Sequence, residues 1–159
     1  MTNSPETSAF SQGQKLLLFA SSLVLAVVLF LARGGLDAET PLDQLARRSL
    51  DPEVALANGR PTVLEFYADW CEACRQMGPA MLAVERKFEG QIDIVLLNID
   101  NDLWQDLIDH YGVNGIPQLN FFDEHGESVG RSLGVREYEE LELVATSLVN
   151  KQPLPQFVT

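Results

Sequence analysis

The hydrophobic pattern divides the chain sharply. From Leu16 to Ala32 no residue is charged, and Lys15 and Arg33 bracket the run. A helix of this length, rising about 1.5 Å per residue, reaches the short end of the membrane-spanning range. It has no polar face to turn toward water, so residues 16–33 are predicted as an uncleaved transmembrane anchor. A cleaved secretory signal is the alternative. Its cleavage site would be Ala32-Arg33-Gly34, a poor one because of the adjacent cation. A buried helix of a soluble protein is the remaining reading. Residues 1–15 are polar and read as a loose N-terminal tail. Gly34 to Leu50 offers little to bury and reads as a linker.

Beyond the linker the rhythm alternates. Asp51-Pro52 predicts a short helix, with Asp51 as N-cap and Pro52 at the first helical position, ending near Asn58-Gly59. Pro61 to Ala68 is apolar and β-rich, as a buried strand is. Met77, Met81, Val84 and Phe88 then recur at helical spacing, with Pro79 inside the helix they predict. Ile92 to Asn98 is a second buried strand. Leu103, Leu107, Ile108 and Tyr111 mark a helix ending at Gly112, with Trp104 in its core face. Gln118–Phe122 and Ser128–Leu133 flank the turn Asp123-Glu124-His125-Gly126 and read as a hairpin. Tyr138, Leu141, Ala145 and Leu148 mark a last amphipathic helix, and residues 151–159, with two prolines, a flexible tail. The order predicts an α/β domain over 51–150, a mixed central sheet with helices on both faces.

Composition narrows the function. The formal charge is −12, and a surface this acidic repels nucleic acid. Solubility is the plain reading of that charge, and steering toward a basic partner the sharper one. The only two cysteines are Cys71 and Cys74. One close pair cannot staple a domain, which leaves redox chemistry, half a metal site, or two inert core thiols. No second Cys pair exists, and His110 and His125 lack ligand spacing to this one, so no metal and no cofactor are expected.

Trp70-Cys71-Glu72-Ala73-Cys74 follows the first strand directly. Cys71 therefore opens the next helix, where orphan N–H groups and the helix dipole favour an anion. The thiolate is the nucleophile, so this position activates Cys71. Cys74 lies one turn on and can resolve the mixed disulfide that Cys71 forms. Glu65 is a second anomaly, an acid inside Val63-Leu64-Glu65-Phe66. If buried, its pKa is raised and it can relay a proton; alternation that faces it to solvent is the other reading.

Residues 61–74, PTVLEFYADWCEAC, resemble the active-site strand and turn of thioredoxins. Pro79, Asn98-Ile99-Asp100, Val113-Asn114-Gly115-Ile116-Pro117 and Gly134 match later motifs of that family, and the similarity covers roughly residues 51–150. The resemblance implies a thioredoxin fold, preceded here by the anchor. It also implies that Cys71 attacks, that Cys74 resolves, and that Glu65 is the buried acid behind the second cysteine. Pro117 becomes the cis-proline facing the disulfide, and the Ile116 backbone pairs with an extended substrate segment. Trp70 becomes part of the docking surface, with Gly134 beside the site. With its anchor, the chain is similar to membrane-anchored thioredoxin-like proteins of cyanobacteria and chloroplast thylakoids. That narrower likeness implies a reductant of protein disulfides on the lumenal or periplasmic side, recharged by a membrane or soluble redox donor and supporting maturation of b6f or c-type cytochromes.

The chain departs from the thioredoxin pattern twice. Glu72-Ala73 replaces Gly-Pro between the cysteines, so Asp69 and Glu72 flank Cys71 with Arg75 partly offsetting them. Leu96 stands where the family has a basic residue opposite the buried acid. Three competing functions remain at this level. They are a periplasmic cytochrome-maturation thioredoxin, a non-catalytic binding or holdase module, and a copper handler. The first lacks the usual insertion, since only Phe88-Glu89-Gly90-Gln91 separates helix from strand; the intact cysteine pair argues against the second, and the missing Met and His ligands against the third. Topology is contested too. Arg33, Arg47 and Arg48 behind the span outnumber Lys15 ahead of it, which by charge alone keeps the domain cytoplasmic, whereas the family resemblance places it beyond the membrane.

Overall fold

The computed structural model describes residues 11–32 and 39–159, in two compact units that divide after Ala38. The readings for residues 1–10 and 33–38, the last residue of the expected anchor included, lie outside the described residues. In the first unit, α1 (Gln12–Ala32) is a 21-residue helix. Its described side chains are all exposed, and its composition and length suffice to cross a bilayer. The helix begins inside the segment expected to be tail, because Gln12 to Lys15 continue it outward.

The second unit contains α2 (Pro41–Arg48), α3 (Pro52–Ala57), β1 (Thr62–Tyr67), α4 (Glu72–Lys87), β2 (Asp93–Asn98), a 3-10 turn (Asp102–Trp104), α5 (Gln105–His110), β3 (Gln118–Phe122), β4 (Ser128–Leu133) and α6 (Tyr138–Val149). The sheet order is β2-β1-β3-β4. β1 and β2 are parallel, and β3 runs antiparallel to both β1 and β4. Strand alternation sorts the central side chains onto two faces. Val63, Tyr67, Leu119 and Phe121 pack with Met77, Met81, Leu141 and Val144 on one side. Leu64, Phe66, Val95, Leu97 and Phe122 pack with Ala55 on the other, beneath Trp104, Leu107 and Ile108. The expected single helix from Leu103 to Tyr111 is instead a 3-10 turn followed by a short helix. None of its residues is fully buried, so packing does not enforce a longer helix.

Two readings at the domain ends are corrected. The segment 34–50 is not all linker, and the folded unit starts well before 51. Residues 41–48 form α2, started by a reciprocal cap in which Asp43 N–H donates to Thr40 Oγ1 at 3.2 Å and Thr40 N–H donates to Asp43 Oδ2 at 3.1 Å. Leu42 and Leu45 are buried against the α4 layer. Gly78 of α4 permits the approach, since a Cβ there would meet Leu42 Cγ at 3.3 Å and Pro41 Cβ at 3.4 Å. Ser49 Oγ, just past α2, accepts the Leu96 N–H of β2 at 2.9 Å.

The tail 151–159 is not loose either. Arg131 of β4 and Thr159 exchange both backbone hydrogen bonds, at 2.7 and 2.9 Å. Leu154, Phe157 and Val158 pack on the core, and the Arg136 guanidinium lies 4.9 Å from the centre of the Phe157 ring. Gly130 leaves room for this docking, since a Cβ there would stand 2.4 Å from Val158 Cγ1.

Candidate active site

β1 ends at Tyr67, and the chain turns through Ala68, Asp69 and Trp70 into α4. The Cys71 N–H donates to the Ala68 carbonyl at 3.1 Å, closing that turn. Cys71 is the N-cap of α4, and its Sγ accepts the Cys74 N–H at 3.1 Å. The sulfur thus occupies the place where a helix presents unpaired donors and the positive end of its dipole. Cys71 and Cys74 are joined by a disulfide, with Cα atoms 5.3 Å apart. Exposure separates the pair: 5% remains at Cys71 and none at Cys74.

Glu65 is completely buried. It lies between Val63 and Tyr67 on the strand face that packs against α4, the same layer that holds Cys74. Neither carboxylate oxygen has a hydrogen-bond partner among the described residues. Burial alone pushes its pKa from the usual carboxylate range up to about 8. Its neighbour across the parallel pair is Leu96, in register.

The remaining predicted residues are Ile116, Pro117, Gly134 and Trp70. The Ile116–Pro117 bond is cis. Gly134, at φ 90°, donates its N–H to the Pro117 carbonyl at 2.9 Å, which ties the end of β4 to the proline loop. That backbone conformation favours glycine. Trp70 is 63% exposed, and its indole N–H donates to Asp100 Oδ2 at 2.8 Å. Trp70 and Ile116 line one surface groove of roughly 390 Å3. Arg75 is held by the Asp69 carbonyl at 2.7 Å and the Glu72 carboxylate at 2.5 Å. Its charge is therefore spent on Glu72. His110 and His125 are exposed, and no cluster of metal ligands exists among the described residues.

Sequence reasoning missed the network behind Trp70. Asn98, at the end of β2, donates from Nδ2 to Asp69 Oδ2 at 3.2 Å, and its Oδ1 accepts the Asp100 N–H at 2.9 Å. One side chain thereby links the loop before Cys71 to the loop that orients the indole. The sequence signal was the Asn98-Ile99-Asp100 motif itself, two polar residues at the end of a buried strand.

A family profile described as Thioredoxin matches residues 43–147. The thiol:disulfide interchange protein TxlA of Synechococcus elongatus is 37% identical over 150 residues, covering 94% of this chain and 78% of that protein. The chloroplastic thioredoxin-like protein HCF164 of Arabidopsis thaliana is 38% identical over 138 residues, or 86% of this chain. The match covers 52% of that relative, so the chain spans about half its length. Among solved structures, a thioredoxin variant from Halobacterium salinarum superimposes with a TM-score of 0.55 at 24% identity. That match covers 64% of this chain and 87% of the other, a likeness of fold.

Proposed function

Because this chain belongs to the thioredoxin family and is a thiol–disulfide oxidoreductase, we propose that it acts as a membrane-anchored reductant of protein disulfides. In this reading α1 is the anchor and the catalytic unit faces the thylakoid lumen or the periplasm. There it supports maturation of b6f or c-type cytochromes and receives electrons from a membrane or soluble donor. The cyanobacterial and chloroplastic origin of the relatives supports the location.

One observation carries the division of labour: Cys71 caps the helix and keeps some exposure, while Cys74 is sealed. In the reduced protein the Cys71 thiolate attacks one sulfur of a substrate disulfide. The substrate S–S bond breaks, a Cys71–substrate disulfide forms, and the departing substrate sulfur takes up a proton. Where Glu65 is ionised it takes the Cys74 proton, and the Cys74 thiolate attacks Cys71 Sγ. The Cys71–Cys74 bond forms as the Cys71–substrate bond breaks, the second substrate sulfur leaves as a thiolate that takes up a proton, and two electrons have passed to the substrate. A carboxyl with its pKa near 8 can take up and release that proton near neutrality. Trp70, Ile116, Pro117 and Gly134 form the docking surface, with the Ile116 backbone pairing an extended substrate segment.

Reduced protein should turn over insulin disulfides, and Cys71→Ser should not. Cys74→Ser should accumulate a mixed disulfide on Cys71 in membranes, visible on non-reducing gels. Turnover by Cys71→Ser, with no adduct on Cys74→Ser, would reverse the two roles.

A further inference from the structure

The groove that holds Trp70 and Ile116 is walled by Ile99, Gln105, Ile108 and Val113. Except for Trp70, these residues come from one stretch of chain. From Phe88 to Gly130 that stretch contains no lysine or arginine, and its acids include Asp93, Asp100, Asp102, Asp106 and Asp109.

Two of those acids are fixed to the lining itself. Asp100 Oδ2 accepts the Trp70 indole N–H at 2.8 Å. Asp109 Oδ1 accepts from Gln105 Nε2 at 3.1 Å. Both carboxylates are exposed, and neither has an ion-pair partner among the described residues. The described cations near acids are committed elsewhere: Arg60 to Asp93, Arg75 to Glu72, Lys87 to Glu142. An apolar floor with charges of one sign at its margin, and no cation of its own, complements a cationic segment.

Resting on the oxidoreductase reading above, we propose that this groove selects substrates whose cysteine lies in an extended, positively charged segment. An apolar side chain next to that cysteine seats between Trp70 and Ile116. Lysine or arginine on its flanks pairs with Asp100 and Asp109. The two aspartates are specificity residues: they take no part in sulfur exchange and act on which segment is presented to Cys71.

The test uses the full chain in neutral detergent and three oxidised substrates. Two are peptide disulfides with an apolar residue beside the cysteine, one flanked by lysines and the other by glutamates. The third is the uncharged hydroxyethyl disulfide. The prereduced protein should reduce the lysine peptide roughly ten-fold faster, as a second-order rate constant, at low ionic strength. That ratio should shrink toward one between about 20 mM and about 500 mM salt. Asp100→Asn with Asp109→Asn, which keeps both side-chain acceptors, should shrink it at low salt as well. A ratio near one at low salt in the wild type overturns the proposal, as does a ratio that the double variant leaves intact. The salt series needs only the wild type, so a poorly folding variant does not shield the proposal. Failure to reduce hydroxyethyl disulfide would instead defeat the oxidoreductase reading itself.

Discussion

Glu65 and Leu96 are register partners across the parallel pair β1–β2, so the neighbour of a fully buried, unpartnered carboxyl on the next strand is a hydrocarbon. With no cation to hold its charge, the acid is favoured in its neutral form.

The pH dependence of stability follows from that. Below about pH 4.5 the carboxyl is neutral in both folded and unfolded chains, and its favourable contribution is fully present. As pH rises toward 8 the unfolded chain releases the proton while the folded chain keeps it, so stability falls; above about 8 the loss is complete. Glu65→Gln removes this titration. Denaturant melts of the oxidised protein should show the variant gaining on the wild type between pH 5 and pH 9, by on the order of 4 kcal/mol. The variant should also slow the resolving step near neutrality. Parallel stability profiles would mean that Glu65 does not titrate in this window.

Asp69 and Glu72 stand on either side of Cys71, and Glu72 consumes Arg75. Asp69→Asn with Glu72→Gln removes two negative charges near the Cys71 sulfur, the proposed nucleophile, and frees the guanidinium. Stabilising the thiolate favours the reduced form, so the protein should become more oxidising. Both groups are exposed, so screening keeps the shift to roughly 10–30 mV toward less negative potential. A glutathione redox titration that moves the other way would refute the assignment.

Gly130→Ala should unseat the C-terminal segment, since the added methyl would lie 2.4 Å from Val158 Cγ1. We expect faster hydrogen exchange at the Arg131 amide, which donates to the Thr159 carbonyl, and a stability loss of about 1 kcal/mol. Unchanged exchange at Arg131 would show that the tail tolerates the methyl.

The side of the membrane is open to direct measurement. Protease added to sealed vesicles should spare the catalytic unit from the cytoplasmic face and digest it from the opposite face. Digestion from the cytoplasmic face would end both the lumenal assignment and the link to cytochrome maturation.

Most of the fold was legible because its signals are local. Asp51-Pro52 capped the expected helix, β3 and β4 have the expected bounds, and Glu65 stood out by chemistry alone. What stayed hidden depends on distant partners. α2 buries only Leu42 and Leu45 and is otherwise polar, so its eight residues looked like linker; the Thr40-to-Asp43 cap was the available clue. The tail is fixed by backbone bonds to Arg131, and a backbone bond leaves no side-chain pattern. The acids at the groove were visible as composition, but their attachment to Trp70 and Gln105 arises only in the folded chain.

Those two misread segments share a role. Ser49 takes the Leu96 amide on one outer strand, and Thr159 takes the Arg131 amide on the other. Each outer strand of the sheet is thereby engaged at mid-length by a flanking piece of its own chain. An enzyme that recognises its clients through strand addition has a particular difficulty: any other open edge is a decoy, able to hold an unfolded client out of reach of the cysteines or to zip against a second copy. Under the proposed pairing of clients with the Ile116 backbone, a bond at Leu96 and a pair at Arg131 make each outer strand a poorer rival to that loop, so that a client docks where its disulfide can be attacked.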